Sequence, residues 1–224
     1  MFLKDWYHTL RLDLAPTLRT ALACATVALA VAAPAGAAAT APLGAMSDAV
    51  SGMPGYRASI SLYERKGAQV QQAVYDYSFS RPDHATLHVV AGASAGGTLD
   101  WNGGSTVVAH KGGGIVGLFK KTLPLHDPLT TTIRGSSVDE LSFGAIIAHV
   151  RSTPGTLRQG NGGTVNGAAT TAFTLIPASP VRDGGYTREI VDISNATHLP
   201  VRVLGFAGRT MLRQVDFTNI TANK

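Results

Sequence analysis

Three patterns in this sequence have the residue types of a reactive or cofactor-holding site. Gly92-Ala93-Ser94-Ala95-Gly96 satisfies G-x-S-x-G. That motif exposes a nucleophilic serine on a tight turn between a strand and a helix. A strand pattern precedes Ser94, but Thr98 to Trp101 reads as another strand. With no helix to follow, the stretch is expected to be a loop of small residues. Gly112-Gly113-Gly114-Ile115-Val116-Gly117 satisfies G-x-G-x-x-G. Dinucleotide binding needs a helix next, with its N-terminus facing the pyrophosphate. Pro124 arrives too soon for one, so this is also expected to be a loop. Its tip carries Ile115, Val116, Leu118 and Phe119 with Lys120-Lys121 behind them, a combination suited to touching a membrane.

The third pattern is His84-x-x-x-His88. On a helix that spacing would favour a metal. In a strand the two residues share a face but stand about 13 Å apart. The other histidines of the expected mature domain, His110, His126, His149 and His198, are scattered, and H-E-x-x-H does not occur. Asp139-Glu140 follows Ser137-Val138 and fits the capping box S-x-x-E better than an acid–base pair. The expectation is therefore a non-enzymatic protein with no catalytic residue, no metal and no cofactor.

Composition narrows the class. The chain has 224 residues, 45% hydrophobic and 15% charged, with a net charge of +5. The basic residues are spread mostly singly among apolar ones, with no basic run interleaved with aromatics, so the footprint of a nucleic-acid binder is missing. Ala21 to Ala33 is an almost unbroken apolar run after Arg19, long enough for a secretion signal and short of a membrane span. Pro34 ends it, and Ala35-Gly36-Ala37 supplies an A-x-A cleavage site. Residues 1–37 are read as a cleavable signal and 38–224 as one exported, periplasmic domain. The long stretch before the apolar run leaves an uncleaved inner-membrane anchor as the alternative. Cys24 lies inside the apolar run, so the mature domain would hold no cysteine and no disulfide.

The elements that position these residues are mostly strands. Leu43, Met46, Val50 and Met53 give one face of a short helix over Ala41 to Met53, ended by Pro54-Gly55. Tyr56, Ala58, Ile60 and Leu62 then alternate with polar residues, as do Ala73, Tyr75, Tyr77 and Phe79. This is the signature of half-buried antiparallel strands. Further strands are expected at Thr86 to Val90, Thr98 to Trp101, Thr106 to His110, Thr170 to Ile176, Arg188 to Ile193, Val201 to Phe206 and Met211 to Phe217. Asn102-Gly103-Gly104 is a hairpin turn. The capping box opens a helix with the apolar stripe Phe143, Ile146, Ile147 and Val150. The glycine-rich stretch Gly160 to Gly167 is expected to be a loop. The fold class is mainly β, with a curved antiparallel sheet forming an incomplete barrel covered by one or two helices.

The order of these parts resembles the LolA/LolB-like lipoprotein-carrier superfamily, over Leu43 to Ile220. The pieces that carry the resemblance are the short leading helix, Tyr56-Arg57-Ala58-Ser59-Ile60-Ser61, and the strand ending Phe79-Ser80-Arg81-Pro82. The turn Trp101-Asn102-Gly103, the Val138–Val150 helix and the run Asp192 to Val203 complete it. The resemblance implies an apolar cavity under a helical lid, holding an acyl lipid or lipoprotein. It implies that Arg81 hydrogen-bonds to the lid and helps hold it shut. The inward faces of the strands and helix would then line the cavity: Ile60, Leu62, Tyr75, Tyr77, Phe79, Leu87, Val89, Trp101, Phe143 and Ile147. The alternative is an envelope sensor or scaffold of the same fold with a filled core, acting through protein contacts.

Overall fold

The computed structural model describes residues 35–111 and 120–223. The apolar run of the expected signal, with Cys24, lies outside them, as do the G-x-G-x-x-G stretch and the tip Ile115, Val116, Leu118 and Phe119, whereas the expected cleavage site Ala35-Gly36-Ala37 falls in the first described helix. Among the described residues, no helix is long and apolar enough to cross a membrane.

The described residues begin with helix α1 (Ala35–Ser51), followed by six strands: β1 (Gly55–Lys66), β2 (Gln69–Ser80), β3 (His84–Ala91), β4 (Gly97–Trp101), β5 (Thr106–Lys111) and β6 (Lys120–Pro124). A long connection follows, carrying a 3-10 turn at Asp139–Leu141 and helix α2 (Phe143–Ser152). Five strands complete the chain: β7 (Gly155–Val165), β8 (Ala168–Pro177), β9 (Arg188–Ser194), β10 (Pro200–Ala207) and β11 (Thr210–Ala222).

All eleven strands form one antiparallel sheet in the order β6-β5-β4-β3-β2-β1-β11-β10-β9-β8-β7. The first and last strands pair at its centre, with Ile60 opposite Phe217 and Leu62 opposite Val215. The edges, β6 and β7, do not pair with each other. The sheet is therefore an unclosed barrel, and the connection between its two edges runs over one face. Leu125, Val138, Leu141, Phe143, Ile146, Ile147 and Val150 of that connection are buried in the same core cluster as the strands and α1.

Alternation decides which residues face that cover. Along β1, Tyr56, Ala58, Ile60, Leu62 and Glu64 all point into the buried layer. The last of these is a carboxylate with no exposure, where the pattern leads one to expect an apolar residue. On β2 the inward residues are Ala73, Tyr75 and Tyr77, with Phe79 half-buried. The Tyr56 ring stacks on Phe143 at 4.1 Å between centroids and 5° between planes, and Phe217 meets Phe143 edge-on at 5.2 Å. The Tyr56 hydroxyl also accepts a hydrogen bond from the Phe143 backbone N–H at 2.9 Å. One side chain of the central strand thus satisfies an orphan donor in the first turn of α2.

Three expectations from the sequence need correction. The leading helix spans Ala35–Ser51 rather than Ala41 to Met53, although Leu43, Met46 and Val50 are its buried face as expected. The capping box at Ser137 does not cap α2. Ser142 does, accepting from the Ala145 N–H at 3.1 Å, and the Ser137 hydroxyl instead donates to Asp139. The intervening 3-10 turn places Glu140 one element too early. The stretch Gly160 to Gly167 is not all loop: β7 runs through it to Val165, with a bulge at Asn161/Gly163. Gly163 takes φ of 74°, so the glycine that looked like loop composition permits the bulge. Strand β6 had no signal of its own, being five residues long with one buried side chain, Leu123.

Candidate ligand cavities

Two cavities lie between the sheet and its cover, and they meet at Ser136 and Leu141. The first has a volume of about 480 Å³ and is mainly apolar. Its floor comes from five neighbouring strands: Ala73 and Tyr75 on β2, Leu87 and Val89 on β3, Leu99 on β4, Ala109 on β5 and Leu123 on β6. The space exists because Ala73 and Ala109 put a methyl group where larger side chains surround them. Its roof is the connection after β6, from Leu129 to Val138. Leu129 is 76% exposed, so an apolar side chain stands at the mouth. The exposed residues Lys111 and Lys121 stand at the rim.

The roof is pinned at several points. The Thr130 hydroxyl lies within hydrogen-bond reach of the carbonyls of Leu125 at 3.1 Å and Asp127 at 3.0 Å. The Ile133 N–H donates to Gln71 Oε1 at 2.8 Å, and the Arg134 N–H to Glu64 Oε2 at 3.2 Å. The Arg134 guanidinium donates to the Arg65 carbonyl and the Tyr186 hydroxyl, and lies over the Tyr186 ring. The buried Glu64 thus serves as an acceptor under the roof. Arg213 Nε sits 3.6 Å from its other oxygen.

The second cavity, of about 390 Å³, is polar on one side. Val191, Val203, Val215 and Phe217 form an apolar floor, and Ile146 and Val150 of α2 face it. The polar side gathers His149 from the end of α2, Asp183 from the loop after β8, and Glu189 from β9. His149 Nε2 is 2.7 Å from Glu189 Oε1 and 3.6 Å from Asp183 Oδ1. The hydrogen bond to Glu189 raises the His149 pKa above its ordinary value, against the effect of burial. Burial first, and the adjacent Glu189 carboxylate second, push Asp183 up to about 6. Burial also raises Glu140, which lines the same cavity.

The ten predicted lining residues all join one core. Eight are buried, and Phe79 and Trp101 are half-buried against the rest. Tyr75, Leu87 and Val89 border the apolar cavity. The other seven border neither cavity, and Ile60 and Phe143 have no exposure at all. Arg81 donates through Nη2 to the Val50 carbonyl at 3.0 Å and through Nε to the Met53 carbonyl at 2.9 Å. Val50 is in the last turn of α1, and Met53 lies two residues past its end. Ser94 sits at the edge of the apolar cavity, in a turn that runs directly into β4, so the nucleophile elbow lacks its helix. His110, the histidine among the residues lining that cavity, is engaged by Asp100 at 3.0 Å. His84 and His88 are held separately, by Asn102 and by Thr98.

Sequence reading missed Ala73, Leu99, Ala109, Leu123 and the whole roof. The available signal was the small residue recurring on the inward face of β2 and β5. It also missed the grouping of His149, Asp183 and Glu189, which come from three elements with no local spacing in common.

No family model matches the sequence, and no curated protein does. Among solved structures, the chain is similar to the lipoprotein LppX of Mycobacterium tuberculosis, with 15% identity and a TM-score of 0.45 over 84% of this chain and 97% of that one. It is similar to a LolA superfamily protein from Nitrosomonas europaea, with 8% identity and a TM-score of 0.39 over 83% and 94%. It is also similar to MucB in the MucA/MucB complex of Pseudomonas aeruginosa, with 12% identity and a TM-score of 0.43, spanning 84% of this chain and 58% of that one. These likenesses concern the course of the chain alone.

Proposed function

We propose that this chain is an exported, non-enzymatic binding protein that holds the acyl chain of a lipid or acylated protein in the apolar cavity. The observation that carries this reading is the cavity of about 480 Å³, floored by mainly apolar side chains from β2 to β6 and open beside Leu129. Its size falls within the range of small-molecule sites, roughly 300–1,000 Å³. Each methylene moved from water into such a site contributes about 0.8 kcal/mol. Lys111 and Lys121 at the rim suit an anionic head group left outside. The cover has two separately held parts, the roof pinned on Glu64 and Gln71, and α1 held by Arg81. A carrier has to release its ligand, so one part must open at modest cost.

The test is a titration of the purified protein with fluorescent fatty acids of increasing chain length. The expected result is saturable binding whose affinity rises with each methylene until the cavity is full. Absence of saturable binding at every length would sink the reading and favour the sensor or scaffold alternative.

A further inference from the structure

We propose that His149, Asp183 and Glu189 form a three-ligand site for a divalent cation of the zinc class, tying α2 to the sheet at the edge of the polar cavity. The three residues each offer one ligand atom, and these atoms all lie within 4.8 Å of one another. Bonds of about 2.1 Å in tetrahedral geometry place neighbouring ligand atoms about 3.4 Å apart. The distances from His149 Nε2, 2.7 Å to Glu189 and 3.6 Å to Asp183, bracket that value.

Three further observations favour an ion over a plain hydrogen-bonded cluster. Asp183 is only 9% exposed, yet its Oδ2 has no hydrogen-bond partner. A buried carboxylate oxygen left unpaired is costly, and a cation would satisfy it. The far nitrogen of the imidazole, His149 Nδ1, faces the Thr153 hydroxyl at 3.3 Å. Metal-bound histidines are oriented by such a contact at their second nitrogen. Finally, the side chain of His149 is 43% exposed, which gives the ion a way in and leaves a coordination position toward the cavity. Arg213, a cation lining the same cavity, has its charge matched by the fully buried Glu64.

The site is independent of the acyl-chain reading and would sit on the other cavity. Its donors, one imidazole and two carboxylates, suit zinc and manganese better than the softer metals that prefer thiolates. An ion there would fix α2, the loop after β8 and β9 to one another.

The test uses the untagged full-length chain, stripped with chelator and titrated calorimetrically with zinc chloride at pH 7.5. One site per chain is expected, together with a rise in Tm on loading. His149→Ala and Asp183→Asn should each weaken that site at least tenfold and lose the rise in Tm, on the order of what even supporting residues of metal sites are worth. His88→Ala should leave both intact. Asp183→Asn preserves shape, so it remains informative if the alanine variant folds poorly. Wild-type protein that takes up no zinc, or variants that bind as the wild type does, would overturn the proposal.

Discussion

The guanidinium of Arg81 donates two hydrogen bonds at the end of α1, to the carbonyls of Val50 in its last turn and of Met53 just beyond it. The last carbonyls of a helix have no partners within it, and a cation there also meets the negative end of the helix dipole. Arg81 lies just past β2, so the contact joins the leading helix to the sheet. Removing it should loosen α1 locally. Hydrogen bonds to charged groups are worth about 1.5–3 kcal/mol. Arg81→Ala is expected to raise amide exchange in residues 43–53 and to speed loss of bound acyl probe, with the global unfolding midpoint changed little. Unchanged retention in a folded variant would remove Arg81 from any gating role.

Filling the cavity should act in the opposite sense. Ala109 sits on its floor, where a larger side chain would project into the space. Ala109→Phe is expected to weaken binding of the longest acyl probes at least tenfold, with a smaller effect on short ones. A chain-length series on both proteins checks this, and equal losses at every length would point to damage elsewhere.

The Tyr56–Phe143 stack is the clearest anchor of the cover. Phe143 has no exposure and touches both central strands through Tyr56 and Phe217. Phe143→Ala should cost about 3–5 kcal/mol in chemical denaturation. Tyr56→Phe keeps the ring and strands the Phe143 N–H, and should cost about 1–3 kcal/mol. A negligible cost for both would mean that the cover is held by other contacts.

Much of this was legible in the sequence, for a physical reason. Strict alternation over Tyr56 to Leu62 and Ala73 to Phe79 can satisfy a half-buried sheet and little else, so the strands and their inward faces could be read directly. A run of consecutive antiparallel strands likewise constrains topology. What could not be read was where the core stops being solid. Ile60 and Leu87 have the same pattern, yet only Leu87 borders a cavity, because the difference lies in what packs opposite. The roof from Leu129 to Val138 has no periodicity, since it is held by hydrogen bonds to Gln71 and Glu64 from 62 and 70 residues away. Glycine composition misled at β7 because a bulge and a loop call for the same residue.

Gly205 on β10 is one glycine whose role is spatial. A Cβ there would lie 2.4 Å from the ring of Tyr186, which is buried and supports Arg134 beneath the roof. Gly205→Val should therefore displace Tyr186 and destabilise the domain by about 1–3 kcal/mol, in the range for overpacked sites. Denaturation measures the cost, and loss of roof protection in amide exchange would trace its path. Wild-type stability in the variant would show that Tyr186 has room to move.

The polar cavity gives a pH dependence with a definite sign in metal-free protein. His149 and Asp183 both hold protons more tightly in the folded state than in the unfolded chain. For His149 the added stability is complete below the ordinary histidine value and is lost as pH rises through its elevated folded value. For Asp183, whose folded value is about 6, stability falls as pH rises from the ordinary aspartate range to that point. Both slopes are negative. With chelator present, the midpoint of unfolding should be higher at pH 5 than at pH 7.5, and His149→Ala should shrink the difference. A midpoint that rises with pH over that interval would contradict the assignment.

The most direct test of the central claim is the lipid content of the protein as a cell makes it. The full-length chain would be expressed in a Gram-negative host, purified gently from the periplasm, and extracted for lipid mass spectrometry. An acyl lipid at close to one per chain is expected, reduced in Ala109→Phe. A stable, monodisperse and lipid-free wild-type protein would contradict it.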